Sequence, residues 1–336
     1  MTDKKTILHV AQESGVSPAT VSRVMNNHRY VKDSTREKVL NTINLLEYQR
    51  DNIAYGLRSS KTKVIGLIVP RISMYFHSAA ITVIQNSLYK NGYQLMICQS
   101  DDKAVMEKEL VNILQSARVD AVIAACSLHT TDFSHFNILM KRGIPVIFYD
   151  RVPMHNTDAI LIKGDDFNGG YIAASYLIKK GCKKIAHISG PIDCNLYKER
   201  TTGFEKAMQE KKLPIKSNWV FHQELTAENA RAALNKIFSA KVLPDGLLAD
   251  NDTTAIATLQ FAKENGIKVP QDLKIVGYSN DPRSTIVSPS ITTIEQFPDI
   301  MGMKVVEVLM NILSDKNKDI QKVYTVAVSL VERESA

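Results

Sequence analysis

The sequence predicts a small all-α headpiece of helix-turn-helix type, followed by an α/β body built from two doubly wound parallel sheets. Three observations carry that reading. Helix-start residues and a tight turn crowd the first 50 positions, and much of the chain's excess positive charge falls in the same stretch. After residue 63, apolar strand-like runs alternate with helical patterns of 10 to 15 residues.

The first helix has Thr6 as its cap and Val10 and Ala11 on its apolar side, and Ser14-Gly15 supplies the turn that follows. The next stretch, Val16 to Asn26, reads V-S-P-A-T-V-S-R-V-M-N. Ser17 can cap a second helix, and Pro18 suits its first turn, where a missing N–H costs nothing. Val21 and Val24 give this helix one apolar side and leave Ser17, Ala19, Thr20 and Arg23 on or near the other, which is small, polar and cationic. Ser34-Thr35-Arg36-Glu37 reads as a capping box for a third helix whose core side would be Val39, Leu40, Ile43 and Leu46.

Charge turns a three-helix packing unit into a candidate nucleic-acid binder. Residues 1 to 63 hold 11 Lys and Arg against 6 Asp and Glu, a net of +5 out of +7 for all 336 residues. Most of the excess therefore sits where a phosphate backbone would be met.

The run T-I-L-H-V-A-Q-E-S-G-V-S-P-A-T-V-S-R-V-M-N-N, followed by Val31, S-T-R-E-K-V and Tyr48, resembles the lactose-repressor (LacI/GalR) family of bacterial transcription regulators, and the layout agrees over nearly the whole chain. The resemblance implies a homodimer whose second helices read two half-sites of a pseudo-palindromic operator in double-stranded DNA, with an effector setting affinity. It also implies a periplasmic-binding-protein-like body. On this pattern Arg23 meets guanine and Ala19 or Thr20 a thymine methyl, while Thr6, Ser17, Thr20, Ser22, Asn26, Thr35 and Tyr48 lie on phosphates.

From Gln49 to Lys63 the chain turns polar, yet Ile53, Ala54 and Leu57 keep helical spacing. Two turns containing Gly56 would not stand as a helix alone, because nucleation is costly. In the resembled family this is a hinge helix that folds on operator DNA, which makes Asn52, Ala54 and Leu57 contact candidates and Leu57 the minor-groove wedge. The family's usual Pro-Asn-Arg before the hinge is Arg50-Asp51-Asn52 here. The expected domains are thus 1–49 for the headpiece, 50–60 for the hinge and 61–336 for the effector-binding and dimerisation body.

Strands are expected at 64–70, 94–99, 121–125, 145–149, 159–163, 184–189, 220–223, 246–249 and 274–278, with a last one at Leu330-Val331. Helices fill the gaps at 79–90, 104–116, 169–179, 200–210, 227–238 and 254–264. So many strand-helix units exceed one sheet comfortably, and two lobes follow, with strand ends facing one cleft. The family pattern divides them as about 61–162 plus 293–322, and 163–292 plus 323–336.

No G-x-G-x-x-G after a strand, G-x-x-x-x-G-K-[ST], H-E-x-x-H or G-x-S-x-G occurs, so neither an enzyme nor a resident cofactor or metal is expected. His77, His129, His135 and His187 read as surface or strand-end residues. Cys98, Cys126, Cys182 and Cys194 lack C-x-x-C spacing and read as packing residues in a reducing compartment. With no apolar leader and no run of about 18 apolar residues, the chain is expected in the cytoplasm without membrane contact.

Tyr75 and Phe76 follow the first strand as an aromatic platform. Glu199-Arg200-Thr201-Thr202-Gly203-Phe204 matches the family's E-R-x-x-G-F, which makes Arg200 the leading effector contact. Asp150, Asn168, Leu225, Asn251, Asn280 and Gln296 stand at further matching or strand-end positions. Ser279 departs from the pattern by replacing the aspartate usual after V-G-[YF], and Arg71 replaces the aspartate usual after the first strand. These changes weaken the case for a plain sugar and favour an anionic effector or a partner protein. The expected function is a repressor controlled by a small molecule in the cleft. The alternatives are protein-partner control of catabolite type and, further off, a stand-alone sugar binder.

Overall fold

The computed structural model describes residues 5–25, 27–48, 61–154, 157–314 and 320–336. It divides into a unit ending at Thr62 and a unit of Lys63–Ala336.

In the first unit α1 (Ile7–Ser14), α2 (Pro18–Met25) and α3 (Asp33–Leu45) share a core of Val10, Ala11, Val21, Val24 and Val39, with Tyr48 packed against it. Thr6 caps α1, and its own N–H donates to His9 Nδ1 at 3.0 Å. Gly15 takes φ 63°, which a side chain would resist, and so turns the chain sharply into α2. Ser17 Oγ accepts from Thr20 N–H at 3.2 Å, capping α2 one residue ahead of Pro18.

Two expectations fail in α3. The helix starts at Asp33 with Lys32 at its cap and no capping side chain, so Ser34 lies inside the first turn and the Ser34–Glu37 box does not form. Asp33 supplies a first-turn carboxylate instead. Leu40 is 44% exposed, because a helix lying against two short neighbours buries only a narrow stripe.

The second unit contains two six-stranded sheets. The first orders β1 (Val64–Val69), β2 (Gln94–Gln99), β3 (Ala121–Ala124), β4 (Val146–Tyr149), β5 (Ile160–Gly164) and β11 (Val323–Val326) as β11-β5-β4-β3-β1-β2, every pair parallel. The second orders β6 (Ile185–Ser189), β7 (Val220–His222), β8 (Gly246–Ala249), β9 (Lys274–Tyr278), β10 (Thr292–Glu295) and β12 (Ser329–Val331) as β12-β10-β9-β8-β6-β7, parallel except for β12 on β10. Strand periodicity feeds two cores per sheet. Ile65, Leu67 and Val69 pack under α4 (Tyr75–Lys90) and α12 (Pro298–Leu313), whereas Ile68 joins α5 (Ala104–Ser116) and α6 (Asn137–Lys141) on the other face. In the second lobe α7 (Asp166–Lys179) and α8 (Asn195–Glu210) cover one face, and α9 (Ala227–Phe238) and α10 (Asp252–Glu264) the other. A single turn of helix, α11 (Arg283–Ile286), follows β9.

Strands β10 and β11 were not among the expected ranges. In β10 the buried Thr292 and Thr293 are polar, and their hydroxyls are matched by Arg333 O and Asp252 Oδ1, so composition hides a core strand. The lobe limits shift accordingly. Strand β5 stays whole in the first sheet to Gly164, β10 belongs to the second through Glu295, and β11 pairs with β5 rather than joining the second lobe's tail. Among the described residues the chain thus passes between lobes near 164–166, 295–298 and 326–329.

Helices α7 and α8 touch along their backbones. A Cβ on Gly203 would lie 2.0 Å from Phe167 O, and one on Gly170 would lie 2.1 Å from Arg200 O. Neither carbonyl can yield without moving its helix. Gly203→Ala should therefore cost about 1–3 kcal/mol, read as a lower urea midpoint at unchanged slope.

Candidate functional site: a groove-sized helix and an interlobe cavity

On the headpiece, burial of Val21 and Val24 turns the opposite side of α2 outward. Ser17, Ala19 and Arg23 are exposed there, with Thr20 and Ser22 half-buried beside them. Thr6 is exposed at the start of α1, and Thr35 is half-buried in α3. Arg36 holds the turn after α2 by donating to Asn27 Oδ1 and His28 O, both at 2.8 Å. The remaining candidates, Asn26, Asn52, Ala54 and Leu57, lie outside the described residues.

The body encloses a cavity of about 250 Å³ between its lobes, at the carboxyl ends of the strands. Tyr75 and Phe76 reach it from the first turn of α4, while Leu225, Asn251 and Ser279 reach it from the second lobe. Ser279 Oγ donates to Gln296 Oε1 at 2.6 Å, which puts Gln296 behind the lining. The other candidates line no part of it. Asn280 is held by Glu295 and Arg333 at 2.6 and 2.5 Å, and Asn168 sits in the first turn of α7, where Asp165 Oδ1 accepts from its N–H.

Arg200, the leading candidate from sequence, is 3% exposed. Its Nε donates to Asp166 Oδ1 and its Nη1 to Asp250 O, both at 2.8 Å, and its guanidinium lies 3.5 Å from the centre of the Tyr278 ring. These bonds and the ring tie the guanidinium into the second lobe.

Charged residues make up much of the remaining lining: Asp102 and Arg151 from the first lobe, and Glu224, Asp252, Asp281 and Arg283 from the second, joined by Arg71, which stands where the family pattern has an aspartate. Arg151 and Asp252 belong to the polar clusters Tyr149-Asp150-Arg151 and Asp250-Asn251-Asp252, which the sequence places at strand ends where they suit hydrogen bonding to a ligand; Asp102, Glu224 and Arg283 carried no such signal. Arg151 donates to Asp102 Oδ1 at 2.5 Å, and Arg283 grips Asp281 through Nε and Nη2 at 2.9 and 2.6 Å. Burial pushes Asp252 up to about 7, even though Thr293 and the Asp281 N–H each donate to its carboxylate at 2.7 Å.

Behind the cavity the lobes are clasped. Asn195 Nδ2 donates to Asp150 O at 3.1 Å and Oδ1 accepts from Val152 N–H at 2.9 Å, so one side-chain amide pairs with first-lobe backbone as a strand would. Leu128 packs beside it on Cys194, Leu196 and Tyr197. Burial raises the Cys194 thiol to about 11, so it stays protonated.

His129 is exposed as expected, but His77 in α4 and His187 in β6 are 1% and 0% exposed. Burial and the nearby Arg151 drive His77 down to about 3, so its 3.8 Å approach to Asp150 is no ion pair at neutral pH. His187 Nε2 is hydrogen-bonded to Asp250 Oδ1 at 2.9 Å. Burial alone would raise Asp250, but His187, Arg200 and Ser189 outweigh it and hold the carboxylate below its usual range.

A helix-turn-helix unit with an exposed cationic second helix, joined in one chain to a two-lobed body around a polar cavity, defines the class of ligand-responsive DNA-binding regulators. Residues 6–51 match the family described as bacterial regulatory proteins, lacI family, and residues 174–336 match a periplasmic binding protein-like domain. The HTH-type transcriptional repressor PurR of Histophilus somni (strain 129Pt) is 34% identical over 332 residues, covering 98% of each chain, and that of Haemophilus influenzae (strain PittEE) is 33% identical over 318 residues, covering 94% of each. Among solved structures, a transcriptional regulator CelR-cellobiose complex matches at 25% identity and TM-score 0.75, over 99% of this chain and 100% of that one. The Lac repressor dimer bound to operator and the anti-inducer ONPF has the same fold, at TM-score 0.88 and 23% identity over 99% of both chains. The chain belongs to the lacI family of bacterial regulatory proteins.

Asp150 offers a clean test of the site's electrostatics. Burial, partly offset by Arg151, raises its carboxyl from 3.8 to about 7. A raised acid favours the folded state while protonated, so its contribution falls as pH climbs from about 4 and is fully lost above about 7. Asn fits the same φ of 59° without titrating. Asp150→Asn should therefore gain on the parent by about 2–3 kcal/mol between pH 5 and pH 8, measured by paired denaturant melts. A pH-independent difference would show that Asp150 does not titrate in that range.

Proposed function

We propose that this repressor works as a homodimer whose two α2 helices enter successive major grooves of a pseudo-palindromic operator, and that a small molecule in the interlobe cavity sets its affinity. The observation that carries the first part is the outward face of α2, where Arg23 stands beside Ala19 and Thr20 while Val21 and Val24 are fully engaged beneath. Arg23 donates two bonds to a guanine edge, Ala19 and Thr20 meet a thymine methyl, and Thr6, Ser17, Ser22, Thr35 and Tyr48 set the helices on phosphates. Asn26 and the hinge candidates Asn52, Ala54 and Leu57 extend the same footprint.

The cavity supports the second part. It lies between two lobes joined by short crossings, so a ligand touching both walls changes the free energy of closing one on the other. A coupling of about 1–3 kcal/mol would change operator affinity some 5- to 150-fold. The reading contains no catalytic step and no resident metal or cofactor, and it assigns the protein to the cytoplasm, where its DNA is. No described helix is long and apolar enough to cross a membrane.

Selection of bound duplexes from a random pool, followed by binding curves on the winner, tests the headpiece. Arg23→Ala should cost about 1–3 kcal/mol and relax preference at one base pair in each half-site. Equal weakening on every duplex would reassign Arg23 to phosphate. A winning site without two related halves would remove the dimeric footprint.

A further inference from the structure

The two walls of the cavity carry opposite charge. On the first-lobe wall, two guanidiniums share one carboxylate. Asp102 gives Oδ1 to Arg151 Nη1 and to the Leu128 N–H, while its Oδ2 stands 3.4 Å from Arg71 Nε. Neighbouring Asp101 pairs with Lys103 at 2.9 Å through Oδ2, and its Oδ1 stands 3.8 Å from Arg71 Nε. The Arg71 Nε is shut off from solvent and has no hydrogen-bond partner among the described residues.

The second-lobe wall is the reverse. Arg283 is taken up by Asp281, leaving Asp252 with two neutral donors and no bonded cation among the described residues, and Glu224 lies 3.4 Å from His129. Tyr75 and Phe76 form the apolar side between these poles.

We propose that the cavity takes a dipolar metabolite, with a carboxylate or phosphate against Arg71 and a protonated amine against Asp252. This rests on the cavity being the effector site. The Arg71 side chain, 42% exposed, loses water to any ligand that closes over it, and a neutral ligand returns no charge for that loss, while Asp252, 2% exposed, already lacks water and gains only from a cation. A ligand with a single charge satisfies one wall and leaves the other exposed to the same penalty. A dipolar one meets both while bridging the lobes. Burial, with Asp281 adding to it, holds the Asp252 carboxyl up at about 7 despite Arg333, so a bound cation would draw it back down.

Thermal melts of the full chain, titrated with five probes at constant ionic strength, test this. Phosphoethanolamine and β-alanine carry both charges, ethanolamine and inorganic phosphate carry one each, and glucose carries none. At least one dipolar probe should reach half its effect at a concentration ten or more times lower than any probe that is not dipolar, and which of the two leads identifies the anion. Arg71→Gln and Asp252→Asn should each erase that tenfold advantage, and Leu225→Trp, which fills the cavity, should erase the response. Glucose matching the dipolar probes, no response to any probe, or an advantage that survives Arg71→Gln would overturn the proposal. A glucose response lost in Leu225→Trp would reject the dipolar class and leave the cavity as the effector site. Responses unchanged in Leu225→Trp would place the probes elsewhere, the cationic headpiece included, and the effector-site reading would fall too.

Discussion

One buried guanidinium fixes the second-lobe half of the cavity. Arg200 ties Asp166, the first residue of α7 after the chain enters this lobe, to Asp250 O, the carbonyl directly before Asn251 and Asp252. Its plane covers the Tyr278 ring, the residue directly before Ser279, and Tyr278 Oη donates in turn to Asp166 Oδ1 at 3.2 Å. Taking such an ion out of water costs several kcal/mol unless its donors are met. Here one carboxylate and one carbonyl meet two of its five N–H donors and an aromatic face covers its plane, so the guanidinium positions loops that line the cavity. Removing the guanidinium would leave Asp166 buried with one neutral donor and free the ends of β8 and β9 together.

The glycines of α7 and α8 belong to the same construction. A Cβ on Gly169 would lie 2.0 Å from Tyr278 Oη, so that position must lack one for the hydroxyl to reach Asp166. Gly170 and Gly203 bring the helix backbones into contact, which sets the depth at which Arg200 leaves α8. Close packing and the polar strut therefore stand or fall together, because each sets the distance the other requires.

This explains what could be read from the sequence and what could not. Periodicity located the headpiece helices and most of the strands, since burial repeats at 3.6 or 2 residues regardless of what lies across the core. It missed β10, whose threonines are satisfied by partners 41 residues away. The family pattern drew attention to Arg200, but not to the Asp166, Asp250 and Tyr278 contacts that hold it, because those partners lie 34 to 78 residues away. Arg71, Arg151, Asp252 and Arg283 become a group only when two sheets bring four strand ends together, and no local spacing encodes that. Tyr75 and Phe76 were legible because they closely follow a strand, in the position where such folds expose side chains.

The clasp and the crossings decide what a ligand can do to this body. Asn195 bonds to backbone atoms of Asp150 and Val152, and Lys163 pairs with Glu199 at the partly exposed seam nearby, so the lobes are joined by contacts of modest strength beside three short crossings. One crossing contains Phe297 at φ 51°, a conformation that costs a bulky residue free energy and is kept only because the surroundings impose it. On the proposed reading, joints of this strength let a ligand shift one arrangement of the lobes against another. A ligand confined to one wall binds both arrangements alike and shifts nothing, however tightly it is held. Only one that contacts both walls has differential affinity with which to move them, and so, if the proposed effector site holds, the opposite charges across the cavity weigh more than its volume in deciding which molecules act.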